Sequence, residues 1–466
     1  MASEDRIPQH ARDLSPASIP ALLELLSNTL VLRQTVPYLP IASLFNLAST
    51  CRFLHNLIHQ TPGVFRHLDL TRAKSAHFVD VPGIDHGGQV WRNAQLDENL
   101  TEDDFYSGPL RGIFHSIRRR NILQDVHTLV LDGLSVTAEF VNDILVDPSY
   151  RVRVLSIRGV KNLNERKLMQ SLRYVCRPTR PEGTPHLKGL YVFGARDGGA
   201  SSQPQDGDDW YQRKGRLFRR KPAQEWADTL LDCRGVIQFD ATLCTSPRHQ
   251  NSPAYGRTPV SSARPAVARQ WCVATFALGG CASCGSAPEG LTTYGETPAA
   301  DLPLLSPVPL QSSSVKAAIC PSSPAGSDGS GKAQFVPRCL DCIRERCCFT
   351  CDQWWCESCY ELTGSEVVAP AVQIVTELND DMAVDGLTDD LEQLAAFEQP
   401  KAKTPKVTRS CWECESSCFD CSANTHKYCM ACNNSYCIVH YEGSTATLCD
   451  WCSAKRAHRR RFRELY

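Results

Sequence analysis

The sequence lacks any run of about 18 apolar residues, the length that a membrane-spanning helix requires, so we expect no membrane span. Its first segment, 1–18, is polar and lacks the apolar core of a secretory signal peptide. Net charge is also nearly absent, at −1 over 466 residues. That balance argues against attraction of the whole chain to nucleic acid or to an anionic membrane. We therefore expect two or three domains in the nucleus or the cytoplasm, with no membrane partner.

Cysteine is scarce in the first part of the chain and abundant in the rest. Of the 24 cysteines, only four precede residue 271, namely Cys51, Cys176, Cys233 and Cys244. Most of the others stand in Cys-x2-Cys pairs. In a chain without an export signal, which stays in a reducing compartment, such pairs indicate zinc ligands rather than disulfides.

Residues 19–66 have the apolar spacing of helices. A first helix is predicted from Ile19 up to Pro37, with a broad leucine face. A second is predicted to carry four residues on one face, ending at the turn formed by 61–63; these four are Leu44, Leu47, Cys51 and Leu54. One interpretation is an ordinary helical hairpin that packs on the next domain.

The same segment resembles an F-box. The resemblance rests on Tyr38-Leu39, Leu44, Leu47, Cys51-Arg52-Phe53-Leu54 and Phe65, while the opening Leu-Pro of the family is matched only by Ile19-Pro20. It covers about a tenth of the chain. It implies docking onto the adaptor subunit of a cullin-RING ubiquitin ligase, and the residues to which it assigns adaptor contacts are Leu39, Pro40, Leu44, Leu47, Cys51 and Leu54.

Short strand patterns recur after the helical segment. After His67 to Thr71, three runs share the form L-x-(L/I/V)-x-G and start at Leu129, Leu155 and Leu190, which are 26 and 35 residues apart. Helical patterns lie between them, at 137–145 and 164–175. This unit, 67–244, is similar to irregular leucine-rich repeats. A generic α/β domain with parallel strands is the alternative.

The remaining segments are predicted to be linkers or small modules. We expect 1–18 to be a disordered leader because it is polar, and 245–270 to be a linker because it is rich in Ser, Pro and Arg. The segment 364–408, acidic and then basic, is expected to be a disordered linker. The zinc modules are then 271–363, with a disordered insert at 286–334, and 409–454, followed by a basic tail at 455–466. The expected class is α+β and multidomain.

Two related cysteine patterns define the zinc modules. Both read Cys-x2-Cys-x4-Cys-x2-(Cys or His), the first starting at Cys348 and the second at Cys429. A Cys-x2-Cys pair supplies half of a tetrahedral zinc site. The predicted ligands, for about four zinc ions, are Cys281, Cys284, Cys339, Cys342, Cys348, Cys351, Cys356, Cys359, Cys411, Cys414, Cys418, Cys421, Cys429, Cys432, Cys437, His440, Cys449 and Cys452.

The sequence leaves the pairing of these ligands open. In the first module, the four pairs in chain order allow a cross-braced arrangement, in which pairs one and three share an ion and pairs two and four share another, or a sequential one. The second module has ten candidate ligands, where two ions need eight. Its extra pair is surplus, completes a site of the first module or joins a fifth ion. Cys272, Cys320 and Cys347 are left over.

The ligand sets look complete, with no position left for a water molecule, so we expect structural sites and no catalytic residue. The spacings are similar to those of the RING, FYVE, ZZ, B-box and in-between-RING families without matching any in full. The first hypothesis is an F-box substrate receptor that binds adaptor, cullin and an unknown protein substrate. The alternatives are a zinc-dependent ubiquitin ligase and a nuclear scaffold; we do not expect nucleic-acid binding.

Overall fold

The computed structural model describes residues 18–77, 101–194, 215–216, 218, 221–252, 254–255, 271–286, 292–293, 296–304, 308–310, 314–319, 334–360 and 406–464. Residues 1–17 of the predicted leader, most of the linker predicted at 245–270 and nearly all of the linker predicted at 364–408 lie outside these residues. The chain contains both helices and strands, so it is α+β, as predicted. Unit 1 comprises 1–213, 217–242 and 294–333, and unit 2 comprises 214–216, 243–293 and 334–466.

The described helices are numbered in chain order. They are α1 (Ser18–Ser27), α2 (Thr29–Thr35), α3 (Ile41–Thr50), α4 (Arg52–Gln60), α5 (Glu102–Arg119), α6 (Ala138–Val146), α7 (Glu165–Val175), α8 (Glu225–Asp232), α9 (Val315–Ile319), α10 (Leu340–Ile343), α11 (Phe419–Thr425) and α12 (Asp450–Glu464). Among these, none is long and apolar enough to cross a membrane.

The strands are short. They are β1 (His67–Asp69), β2 (Thr128–Val130), β3 (Val154–Ser156), β4 (Gly189–Tyr191), β5 (Gly215–Arg216), β6 (Gln238–Phe239), β7 (Phe276–Leu278), β8 (Thr292–Thr293), β9 (Gln334–Arg338), β10 (Val407–Thr408), β11 (Ser417–Cys418), β12 (His426–Tyr428) and β13 (Ser435–Cys437).

The N-terminal segment has more helix breaks than the sequence predicts. The first predicted helix is divided at Asn28, whose side chain accepts a hydrogen bond from the Leu30 amide and so begins α2. The second is divided at Cys51, which has an extended backbone (φ −155°, ψ 161°) and whose Sγ accepts from the Leu54 amide at 3.5 Å. The prediction of one continuous helical face from Leu44 to Leu54 is therefore wrong, because a capping residue stands in its middle.

Unit 1 is built on a five-stranded parallel sheet in which chain neighbours are also sheet neighbours, in the order β1-β2-β3-β4-β6. Helices α5, α6, α7 and α8 connect successive strands. The register brings equivalent apolar residues side by side, and this row consists of Leu68, Leu129, Leu155, Leu190 and Phe239. All five are buried. Strands β1 to β4 and helices α6 and α7 thus occur where the sequence patterns predicted them.

The helical segment is joined to the sheet through one carboxylate. Asp125 accepts hydrogen bonds from the amides of Gly63 and Phe65, at 2.7 to 3.0 Å. The Phe65 ring lies 6.0 Å from the Phe45 ring of α3. These contacts place the turn after α4 directly beside the start of the sheet.

The predicted disordered insert, 286–334, contributes to the core of unit 1. Leu304, which is 1% exposed, donates its amide to the Phe239 carbonyl at 2.8 Å. The Gln238 amide side chain donates to the Ala299 and Leu302 carbonyls. For the described part of this insert, the prediction of disorder is wrong. Leu302 and Leu304 lie beside the last strand, β6, and their polar neighbours had concealed them in the sequence.

Unit 2 contains three small antiparallel sheets, with the orders β5-β7-β9-β8, β10-β11 and β12-β13. Trp354 is 1% exposed and donates its indole N–H to the Gly279 carbonyl at 2.7 Å. The fully buried Arg338 guanidinium lies 5.7 Å from the Trp354 ring. Cysteines make up much of the surrounding core, so the packing of this unit depends on the chemistry of its thiols.

Candidate metal centres

Among the described residues of unit 2, cysteine and histidine side chains form five groups of four. Within each group, the ligand atoms all lie within 4.8 Å of one another. The groups are site I (Cys244, His249, Cys339, Cys342), site II (Cys281, Cys284, Cys356, Cys359), site III (Cys348, Cys351, Cys418, Cys421), site IV (Cys411, Cys414, Cys437, His440) and site V (Cys429, Cys432, Cys449, Cys452).

The distances fit a tetrahedral metal ion. Zn–S bonds of about 2.3 Å at tetrahedral angles place two sulfur atoms about 3.8 Å apart. The Sγ–Sγ distance is 3.8 Å between Cys284 and Cys356, 3.9 Å between Cys351 and Cys418, and 3.8 Å between Cys432 and Cys449. A disulfide would need about 2.05 Å. Sites II, III and V thus have the dimensions of zinc sites with four cysteine ligands.

The two histidine-containing sites have matching dimensions. In site IV, the His440 Nδ1 lies 3.2 Å from the Cys411 and Cys414 sulfurs and 3.5 Å from that of Cys437. In site I, the His249 Nε2 lies 3.4 Å from the Cys339 sulfur and 3.2 Å from that of Cys342. Each imidazole therefore presents one nitrogen to its cysteines, as in a zinc site made of three cysteines and one histidine.

Three Cys-x2-Cys pairs are shaped by the residue that follows them. Gly285, Asp352 and Asn433 come directly after the second cysteine and have φ of 71°, 57° and 57°. Glycine, aspartate and asparagine tolerate this left-handed backbone better than other residues. The turn is closed by hydrogen bonds such as that from the Cys429 amide to the Asn434 carbonyl, at 3.0 Å. The turn chemistry written in the sequence thus brings the two thiols of each pair together.

Other pairs lie at the beginning of helices. Cys339 and Cys418 are the residues directly before α10 and α11, and Cys449 directly precedes α12. Sites I, III and V therefore each include a pair held by a helix start.

Hydrogen bonds lower the pKa of one thiol in each of two sites. In site II, the bonds of Cys284 with Ser286 lower its pKa to about 6. In site V, the bond from the Cys449 amide lowers the pKa of Cys429 to about 6. A thiolate is the form that binds a metal ion. In the same two sites, the hydrogen bond with Cys356 raises the pKa of Cys359, and burial raises the pKa of Cys452, to about 12.

Sites II and III form one cross-brace, and sites IV and V form another. In each, the first and third pairs along the chain share a group, and so do the second and fourth. The two cross-braces interleave, because Cys418 and Cys421 of site III come after Cys411 and Cys414 of site IV. The extra pair of the second predicted module thus completes a site of the first, one of the three outcomes left open.

The pairing within the first predicted module is different from both arrangements considered. Cys281 and Cys284 join Cys356 and Cys359, so the first pair meets the fourth. The second pair, Cys339 and Cys342, has Cys244 and His249 as partners, and the third pair, Cys348 and Cys351, joins Cys418 and Cys421. The expected pairings failed because a ligand pair upstream of the module was not counted. All eighteen predicted ligands nevertheless fall within the five groups.

Sequence reasoning missed Cys244 and His249. Both are buried, although the segment after Cys244 is predicted as a linker at 245–270. The linker boundary is therefore wrong for 245–252, where Ser246 and Ser252 are buried as well. The available signal was the Cys-x4-His spacing, together with a Cys339/Cys342 pair that lacked a partner.

A buried ion pair connects sites I and II. The Glu357 carboxylate, between two ligands of site II, lies 3.3 Å from the Arg346 guanidinium and 3.2 Å from that of Arg248. Arg248 directly precedes the site I ligand His249, and Arg346 donates to the carbonyl of Cys342 at 2.9 Å. Side chains that support ligands in this way orient them and adjust their affinity for metal.

The residues expected to contact an adaptor fall into three classes of exposure. Leu44 and Leu54 are buried, Leu39 and Leu47 are half-buried, and Pro40 and Cys51 are exposed. Leu44 and Leu54 therefore belong to the core of the helical segment. Other large apolar side chains of the same helical segment are exposed on α1, α2 and α4, including Leu22, Leu25, Leu30 and Phe53.

In comparisons with known proteins, no protein-family model, curated protein or solved structure matches the chain.

Proposed function

We propose that each of the five sites binds one structural zinc ion. Every group supplies four donors, sulfur and imidazole, which is the donor set and number that structural zinc takes. Small modules with so little apolar core need such an ion to fold. The five ions exceed the four counted from sequence because Cys244 and His249 complete an additional set.

We further propose that the chain is an F-box-type substrate receptor of a cullin-RING ubiquitin ligase. The observation that carries this is the apolar surface of α1, α2 and α4, where Leu22, Leu25, Leu30 and Phe53 are between 48% and 71% exposed. Exposed large apolar side chains grouped on one short segment are typical of a protein-binding surface. The resemblance of 38–65 to the F-box supplies the partner, the ligase adaptor.

The sheet of unit 1 supports the second half of this proposal. Its strands are parallel, three residues or fewer in length and in sequential order, with equivalent leucines in register. This is the arrangement expected of leucine-rich repeats, in which each strand-helix unit packs on the next. A receptor of this type would bind its protein substrate through the repeat unit, the zinc-bearing unit or both.

The test is a pull-down of the full chain with the purified adaptor. Leu25→Asp and Phe53→Asp place a charge on the exposed apolar surface and should abolish binding without unfolding the chain. Val146→Asp is the matched control, because Val146 is 54% exposed on α6, outside the helical segment. Leu44 and Leu54 are unsuitable for this test, since their substitution would disturb the core.

Binding of the wild-type chain and of Val146→Asp, with loss in the two other variants, would support the receptor. Absence of adaptor binding by a wild-type chain that carries its metal ions would reject it and leave the helical segment as a packing hairpin.

A second candidate function is a zinc-dependent ligase that recruits a ubiquitin-conjugating enzyme directly. It is favoured by the cross-braced order of sites IV and V and by the apolar side chains around them. Trp412, Phe419 and Met430 are 79% to 82% exposed. Such a surface suits a protein partner.

Discharge of ubiquitin from a charged conjugating enzyme by the full chain, in the absence of cullin, would support this second function. The double substitution Trp412→Ala/Met430→Ala should then remove the activity while retaining the metal content. No discharge above the rate without the chain would reject it.

A further inference from the structure

Site I has a fourth thiol, that of Cys272, beside its four donors. The Cys272 side chain packs against the buried cluster formed by Cys244, Ala274, Cys339 and Cys342. The backbone fixes this neighbour in place, because the Cys244 amide donates to the Cys272 carbonyl at 2.8 Å. Cys272 belongs to none of the five groups, so the zinc sites described above leave it without a role.

The histidine of site I is weakly supported. Its Nε2 faces the Cys339 and Cys342 sulfurs, while its Nδ1 is buried without a hydrogen-bond partner among the described residues. A metal-bound histidine usually donates its other ring N–H to an acceptor, which fixes the orientation of the ring. A buried N–H without an acceptor carries a desolvation cost. Of the four donors of site I, His249 is therefore the one most easily replaced.

We propose that Cys272 is an alternative ligand of site I that exchanges with His249 on the metal ion. This inference rests on the proposed binding of zinc at site I. In the exchange, a bond forms between the Cys272 Sγ and the metal, the bond from Nε2 breaks, and the thiol proton passes to water. The donor set changes from three cysteines and one histidine to four cysteines, and the site gains one negative charge.

This exchange distinguishes site I from the other histidine-containing site. Site IV has the same donor set, yet every cysteine of the segment 406–464 is already assigned to site III, IV or V. A fifth donor gives the metal of site I a route by which an incoming ligand assists the departure of another. Site I is therefore expected to release zinc to an acceptor protein or chelator faster than site IV.

The experiment counts zinc ions per chain in full-length variants by native mass spectrometry. His249→Ala should keep the wild-type number, because Cys272 takes the fourth position, whereas His249→Ala/Cys272→Ser should lose one ion. His440→Ala is the matched control and should also lose one ion, since the segment 406–464 has no unassigned thiol to replace it. Loss of an ion from His249→Ala alone, or its retention in the double variant, would overturn the proposal.

Two further measurements keep the test valid if His249→Ala does not fold. His249→Gln repeats it with a longer side chain, and mapping of alkylated peptides should show Cys272 reactive in the wild type and protected in the variant. In the wild-type background, Cys272→Ser should slow the release of one zinc ion to a chelator several-fold. An unchanged rate, or alkylation of Cys272 in both chains, would reject the exchange. A wild-type chain without metal would instead reject the zinc proposal itself.

Discussion

At the scale of single residues, the side chains that support the ligands matter as much as the ligands. Glu357 is buried between two arginines, and it connects the ligand-bearing segments of sites I and II. Removing one partner of a buried ion pair leaves an uncompensated charge, which costs about 3–5 kcal/mol.

We therefore predict that Glu357→Ala lowers the free energy of unfolding of unit 2 by about 3–5 kcal/mol, measured by urea denaturation with zinc in excess. Glu139→Ala is the control, because its ion pair with Lys167 is largely exposed and such pairs contribute about 1 kcal/mol or less. Equal effects of the two substitutions would contradict the role assigned to Glu357.

A second prediction separates ligand thiols from buried thiols. Cys437→Ser should remove one zinc ion per chain, because it deprives site IV of a ligand and no unassigned thiol of the segment 406–464 can replace it, while Cys347→Ser should retain the wild-type number. Both cysteines are buried, but only Cys437 belongs to one of the five groups. Elemental analysis of the purified variants measures the difference, and the loss of an ion from Cys347→Ser would show that the ligand sets are misassigned.

The ligands of the five groups show what the sequence could and could not reveal. Repeated Cys-x2-Cys spacing identified eighteen donors, because that spacing is a local property of a turn. Cys244 and His249 contribute through contacts with Cys339 and Cys342, and His249 is 90 residues from Cys339 along the chain, a distance that no local pattern records.

At the scale of elements, periodicity predicted the strands and helices of unit 1 but not where helices break. The leucines of β2, β3 and β4 are repeated with glycine after them, so their positions were evident. The break at Cys51 depends on one capping side chain within an otherwise continuous apolar pattern. Likewise, the composition of 286–334 predicted disorder, and it gave no sign of the few residues of that insert that are buried.

We predict that Leu304→Ala lowers the stability of unit 1 by about 2–4 kcal/mol, because it removes a fully buried side chain and leaves a cavity. Leu310→Ala is the matched control from the same insert, since Leu310 is 40% exposed and its truncation should cost less than about 0.5 kcal/mol. Hydrogen exchange of the β6 amides reports both effects. Indistinguishable exchange in the two variants would mean that the insert does not stabilise the sheet.

At the scale of the whole molecule, the two units depend on different interactions. Unit 1 has a core of buried aliphatic and aromatic side chains, whereas cysteines of the metal sites form a large share of the core clusters of unit 2. In such modules, the free energy of metal binding is folding free energy.

Chelation of zinc should therefore unfold 334–360 and 406–464 and leave 101–194 folded. Hydrogen exchange measured with and without chelator tests this prediction peptide by peptide. Loss of protection in both units together would contradict it, and so would a unit 2 that remains protected without metal.

The most direct test of the central claim is the mass of the full chain, measured under native and then under denaturing conditions. The difference should equal five zinc ions, one for each group of four donors, and the denatured chain should have the mass of fully reduced cysteines. A chain without bound metal, or one whose denatured mass reveals disulfides among these cysteines, would contradict the account of unit 2 as five zinc-stabilised sites.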